Sequence, residues 1–204
     1  MKSLILASNN QKKVKEIKTI LEDLDIQVYS LKDKGIDIDV DEDGSTFEEN
    51  AIKKASEISQ YLKSKGEDNF YVLADDSGLE VDYLNGEPGI YSARYRGVHG
   101  DDYANNIKLL ENMQNATGEE RRARFVCLLA LIDSNNKIDT IKGIVDGYIL
   151  EELKTEGGFG YDPIFFYKPF NKTFGEATAE EKKSVSHRGK ALGELKELLL
   201  KKEQ

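Results

Sequence analysis

Hydrophobic positions recur along the chain in two rhythms. Compact apolar runs, Leu4-Ile5-Leu6-Ala7, Phe70-Tyr71-Val72-Leu73-Ala74 and Phe125-Val126-Cys127-Leu128-Leu129-Ala130-Leu131, predict buried strands. Further strands are expected over 26–30, 138–145, 147–150 and 164–167, with a short one over 79–83 that turns at Asn85-Gly86. Between them apolar residues return every three or four positions. Val14, Ile17, Leu21 and Leu24 predict a helix over 11–24, and Ala51, Ile52, Ala55, Ile58 and Leu62 one ending near Lys65-Gly66. Tyr103, Ile107, Leu110 and Met113 give an inward face to a helix that Asp101 and Asp102 can cap, and Leu192, Leu195, Leu198 and Leu199 line the last one. Thr46 with Glu49, and Thr178 with Glu181, have the spacing of capping boxes. Strands and helices interleave, so the fold class is α/β.

The run at 70–74 ends in Asp75-Asp76-Ser77-Gly78, a buried strand bringing two acids to its end. Neighbouring side chains on a strand point to opposite faces. One acid is therefore expected to face a cleft and the other to hold a turn, with Gly78 supplying left-handed backbone. A plain polar turn after a strand accounts for the same residues.

Composition narrows the class. At 204 residues the chain fits one domain, with room for two lobes, and 39% apolar against 33% charged residues describes a soluble protein. No apolar run approaches a membrane span, and residues 4–7 are too few for the core of a signal peptide. The single cysteine, Cys127, cannot form an internal disulfide, so a cytoplasmic setting is expected and Cys127 reads as a core residue. A net charge of -9 argues against a general nucleic-acid binder. An acidic protein that handles phosphates must gather cations locally or borrow a divalent metal.

Three stretches supply such ingredients. Ser8-Asn9-Asn10 leads into the helix at 11, whose first-turn amides and partial positive charge can seat a phosphate, and Lys13 stands where the helix dipole disfavours a cation unless an anion is near. Lys12, Lys13, Lys15 and Lys18 also read as a solvated face. The loop with Asp37, Asp39, Asp41, Glu42 and Asp43 is mostly solvated charge, though one carboxylate could reach Mg²⁺; spacing does not choose which. Lys53 or Lys54 could snorkel beside the apolar stripe of the helix that follows. Gly157-Gly158-Phe159-Gly160-Tyr161-Asp162-Pro163 frames two aromatics and an acid with glycines, which suits close backbone approach and ring stacking. Lys182, His187 and Arg188 form a late donor cluster. No Walker-type loop and no dinucleotide fingerprint occur.

Six motifs in order resemble the inosine triphosphate pyrophosphatase family: Ser8-Asn9-Asn10-Gln11-Lys12-Lys13-Val14-Lys15-Glu16, Thr46-Phe47-Glu48-Glu49-Asn50-Ala51, Ala74-Asp75-Asp76-Ser77-Gly78-Leu79, Pro88-Gly89-Ile90-Tyr91-Ser92-Ala93-Arg94-Tyr95, Gly158-Phe159-Gly160-Tyr161-Asp162-Pro163 and Ser186-His187-Arg188-Gly189. The resemblance spans nearly the whole chain. It implies a single two-lobed domain over 1–204, a mixed twisted sheet flanked by helices with a central cleft, and a homodimer. The implied reaction converts a non-standard purine nucleoside triphosphate (ITP, dITP or XTP) and water to the monophosphate and pyrophosphate, with Mg²⁺. By the same resemblance Asp76 is the proton acceptor and a metal contact, with Asp41 or Glu42 as the loop ligand. Ser8, Asn9, Asn10, Gln11, Lys12, Lys13 and Lys54 hold phosphates, and Ser77 touches substrate. Phe159, Gly160, Tyr161, Asp162, Lys182, His187 and Arg188 form the base pocket. The chain departs from the family at 41–44, where Glu-Glu-Thr-Gly reads Asp-Glu-Asp-Gly, and at Asn9, where glycine is common.

Overall fold

The apolar runs become strands because most of them are shielded from water on both faces. The computed structural model describes residues 2–202. Its strands are β1 (Ser3–Leu6), β2 (Gln27–Ser30), β3 (Phe70–Val81), β4 (Arg122–Asp133), β5 (Ile138–Ile149), β6 (Phe165–Tyr167) and β7 (Lys172–Thr173). They form one seven-stranded sheet in the order β2-β1-β3-β4-β5-β6-β7. β1 runs parallel to β2 and β3, whereas β6 is antiparallel to β5 and β7, so the sheet is mixed. The helices are α1 (Gln11–Leu21), α2 (Phe47–Ser64), α3 (Asp102–Asn112), α4 (Ala179–Val185) and α5 (His187–Lys202). The α/β expectation holds.

The chain divides into two compact units. The first holds the chain through Asp76, Cys127–Lys142 and the stretch from Ala191; the second holds Ser77–Val126 and Gly143–Lys190. In the first, Val14, Ile17 and Leu21 of α1 and Leu192, Leu195 and Leu199 of α5 share a core with Tyr71 and Leu73 of β3 and with Cys127, Leu129 and Leu131 of β4. In the second, Leu79, Val81, Leu109, Met113, Phe125, Val145, Phe165 and Phe174 form the core. Buried Arg121 closes that core by donating to four carbonyl oxygens, those of Met113, Ala116, Ile149 and Leu150.

Several expectations are corrected. β3 does not stop at the two acids; it continues as one twelve-residue strand to Val81, and Gly78 is not left-handed. The turn lies instead at Asn85 (φ 53°) and Gly86 (φ 93°), as the Asn-Gly pair predicts. β5 likewise runs unbroken through Gly147, where a glycine is needed because a Cβ would meet the Phe165 ring at 2.5 Å. The helix capped by Asp101 turns Asn105, Asn106, Leu109 and Met113 inward, and leaves Tyr103 68% exposed. At α2 only half of the capping box forms. Thr46 accepts from the Glu49 N–H, but the Glu49 carboxylate reaches back to Ser45. At α4 the full box, Thr178 with Glu181, is present.

Candidate active site

β3 carries the acids in its interior, and the period of two sends them to opposite faces. Asp75 shares its face with Tyr71 and Leu73, against α1. There Lys13 Nζ lies 2.7 Å from Asp75 Oδ1, and the Cys127 thiol donates to Oδ2 at 3.4 Å. This carboxylate is the anion that the dipole argument required beside Lys13. Asp76 faces α2. Asn50 Nδ2 donates to its Oδ2 at 3.1 Å, and Lys54 Nζ stands 3.6 Å from its Oδ1. Lys54 also donates to Glu42 Oε1 at 2.9 Å and to the Asp75 carbonyl at 2.9 Å. Both acids and Lys54 are buried, with 2%, 5% and 8% of their surface exposed.

Burial pushes the Asp76 carboxyl above its usual value, and Lys54 and Lys13 pull it only part of the way back. Burial works against the Lys54 ammonium too, yet the summed attraction of Asp76, Glu42 and Asp75 leaves its pKa raised. The acidic loop is thereby sorted. Glu42 turns to Lys54, whereas Asp41 is exposed near Lys53, and Asp43 pairs with Lys53 at 2.7 Å. Asn50, a site residue that sequence reasoning missed, is fully buried and ties Asp76 to the loop by accepting from the Gly44 N–H at 2.8 Å. Its signal was a polar residue one position from the buried stripe of α2.

The turn before α1 is tightly self-bonded. Asn10 caps the helix by accepting from the Lys12 and Lys13 amides, and its own N–H donates to Ser8 Oγ. Asn9 Nδ2 reaches the Ile38 carbonyl at 3.2 Å, and Gln11 bonds the Asn9 carbonyl. Lys12 is exposed. A phosphate arriving here competes with the Asn10 side chain for those amides.

The second unit groups the remaining candidates. Asp162 Oδ2 accepts from the Phe159 N–H at 2.9 Å and from Lys182 Nζ at 2.7 Å. Gly158 is left-handed, and a Cβ there would meet the Asp162 side chain at 2.5 Å, so only glycine lets the turn close on its acid. Lys182 Nζ lies 4.3 Å from the Phe159 ring centre and the Arg188 guanidinium 5.8 Å from it, within cation–π range. Phe159 is half-buried rather than exposed. Arg188, 1% exposed, also reaches Ser77 Oγ at 3.4 Å. His187 is buried and stacks on Phe125, ring centres 4.8 Å apart and 12° from parallel, so packing occupies its ring. Tyr161 belongs to the core, with its hydroxyl donating to the Ser92 carbonyl.

Within the first unit, the carboxylates of Asp76 and Glu42 converge on one cation, Lys54. Such hard oxygen donors fit Mg²⁺, which binds through one or two carboxylates and completes its shell with water and substrate phosphate. Among the described residues no group of three or more His, Cys, Asp or Glu side chains is placed to cage a metal.

The chain as a whole resembles known proteins. A dITP/XTP pyrophosphatase of Clostridium perfringens is 57% identical over 199 residues, covering 98% of each chain. One of Bacillus subtilis is 47% identical over 199 residues, again covering 98% of each. The Staphylococcus aureus Ham1 protein, a solved structure, superposes with a TM-score of 0.85 at 43% identity over 100% of both chains. The Ham1 family model matches residues 4–198, and the chain belongs to the Ham1 family.

Proposed function

We propose that this protein hydrolyses non-standard purine nucleoside triphosphates (ITP, dITP, XTP) to the monophosphate and pyrophosphate, clearing them from the nucleotide pool. Full-length similarity to dITP/XTP pyrophosphatases supports the reading. The observation that carries it is the buried carboxylate of Asp76, held by Asn50 and flanked by the Lys54–Glu42 pair. Asp76 accepts a proton from, or orients, the water that attacks the α-phosphorus; the new P–O bond forms as the bond to the bridging oxygen breaks. In the metal-free protein burial raises the pKa of this carboxyl. Lys54 and Lys13 offset charge on the departing pyrophosphate. Asp76 and Glu42 would hold Mg²⁺, which when bound neutralises the triphosphate and polarises it toward attack.

The second unit supplies a ring for stacking, Phe159, and cationic donors at Lys182 and Arg188. Donors favour the 6-oxo group of hypoxanthine and xanthine over the 6-amino group of adenine. A homodimer in the cytoplasm belongs to the same proposal. Tyr91 (55% exposed) and Val98 (66% exposed) offer apolar surface to a second copy, and no described helix is long and apolar enough to cross a membrane.

A product assay over a nucleotide panel tests the proposal. ITP, dITP and XTP should yield pyrophosphate with Mg²⁺ and lose turnover with a chelator. Orthophosphate as the product, or ATP turned over as fast as ITP, would reject it.

A further inference from the structure

Two side chains of α3 grip the turn that carries Phe159. Asp102 and Asn106 stand one helical turn apart on α3, hence on one face. Asp102 Oδ2 accepts from the Gly160 N–H at 2.9 Å, and Asn106 Nδ2 donates to the Gly160 carbonyl at 2.7 Å. Both polar groups of one glycine are thus held by side chains of one helix. Gly160 is left-handed, φ 60°, a conformation in which glycine has no intrinsic reason to stay. On the other side of Phe159, its own N–H is tied to Asp162. Backbone fixed before and after a single ring fixes the direction in which that ring points.

The Asn106 amide orientation is set by its partners. Nδ2 meets two carbonyls, of Asp102 and Gly160, while Oδ1 is buried with no hydrogen-bond partner. A buried acceptor left unmatched costs stability, so an apolar residue would serve the helix better if only packing mattered. Asn106 is 1% exposed, and its grip on Gly160 is what the apolar residue could not provide.

We propose that Asp102 and Asn106 are positioning residues for base selection: they hold the Gly160 peptide so that Phe159 presents a fixed face to the oxo-purine. The proposal rests on the reading of Phe159 as the base-stacking ring. It predicts that the clamp governs nucleotide affinity and discrimination, leaving the phosphate chemistry of the first unit intact.

The test compares Asp102→Ala, Asp102→Asn, Asn106→Leu, Asn106→Asp and Phe159→Ala in the full-length protein, with steady-state kinetics on ITP and ATP and thermal unfolding of each variant. Loss of one or both clamp bonds should raise KM for ITP about tenfold while kcat stays within about threefold, and narrow the preference for ITP over ATP. Asp102→Asn keeps an acceptor for the Gly160 N–H and should restore most of the affinity that Asp102→Ala loses. If Asn106→Leu does not fold, Asn106→Asp, which keeps the shape and removes both donors, reads the same bond. Unchanged KM, or kcat/KM falling equally for ITP and ATP in step with the melting temperature, overturns the clamp. If Phe159→Ala itself leaves KM for ITP unchanged, the stacking-ring reading fails instead, and the two failures are told apart.

Discussion

In the first unit both lysines of the site meet a carboxylate: half-buried Lys13 with Asp75, and buried Lys54 with Glu42 and Asp76. In the second unit Lys182 has Asp162, but it also lies over the Phe159 ring, and Arg188, almost wholly buried, lies over the same ring and reaches Ser77. The first arrangement is an interlocked set of opposite charges in a low-dielectric setting, where removing one member leaves its partner buried and uncompensated. The second adds aromatic contact to its charge: removing Lys182 strips buried Asp162 of its cation and also costs contact area over Phe159. Charge that must be exchanged for the charge of a polyphosphate suits the first pattern. A planar, electron-poor ring with an exocyclic oxygen suits the second.

Four substitutions or titrations probe that contrast, from the largest effect down. Asp76→Asn removes the proton acceptor but keeps its shape and its bond from Asn50. The kcat for ITP should fall on the order of 10³-fold with nucleotide binding still measurable by calorimetry; near-normal turnover would remove Asp76 from this role. Lys54→Ala leaves Glu42 and Asp76 facing each other without their shared cation. About 3 kcal/mol of stability should be lost, together with roughly 10²-fold in turnover, and a variant with an unchanged melting temperature would show that the charges are not interlocked. Phe159→Ala should act mainly on affinity, raising KM for ITP about 10- to 100-fold with less effect on kcat, as base stacking on an aromatic ring would require. A drop in kcat alone would give the second unit a chemical rather than a recognition role.

The fourth probe is pH. Asp76 is raised above its reference value of 3.8, first by burial, so the native state holds the proton more tightly than the unfolded chain does. The stability it contributes is present below 3.8 and is lost as pH rises through the native pKa. Its use as a proton acceptor appears over the same window. In the metal-free protein the Asp76 carboxyl should therefore titrate above pH 3.8, read by NMR of its side chain, and titration at or below that value would mean that burial does not govern Asp76. Lys54 has the same sign at the alkaline end: its pairing is intact below 10.5 and fades as pH rises through its raised native value.

How much of this was readable beforehand differs between the units. In the first, the apolar face of α1, the entry of its capping turn and the opposite facing of Asp75 and Asp76 all follow from local periods. What could not be read was which lysine meets which acid. Lys53 and Lys54 are neighbours, and only the packing of α2 sends Lys54 inward to Glu42 and Asp76 while Lys53 stays with Asp43. Asn50 escaped notice because its importance lies in two bonds to distant residues. In the second unit the glycine frame around Phe159 is visible, and helical spacing turns Leu110 and Met113 inward correctly, but it also turns exposed Tyr103 inward and leaves out Asn105 and Asn106. Polar Asn105 and Asn106 are buried there by partners on other segments, Asn105 bonding Arg96 and Ala93 and Asn106 bonding Gly160. β3 was cut short for a related reason. Asp, Ser and Gly suggest a turn, and neighbouring strands override that preference once the ladder can continue.

The sequence alone determined the α/β class, the main helices and strands, the capping residues and the identity of the chemical groups, because each depends on side-chain periods or on bonds spanning a few positions. Tertiary structure alone decided the pairing of charges, the burial of Arg188, the stacking of His187 on Phe125 and the choice of Glu42 to face Lys54. Those depend on segments far apart in the chain meeting where water is excluded, and a charge is strongly perturbed only where such neighbours have replaced the solvent.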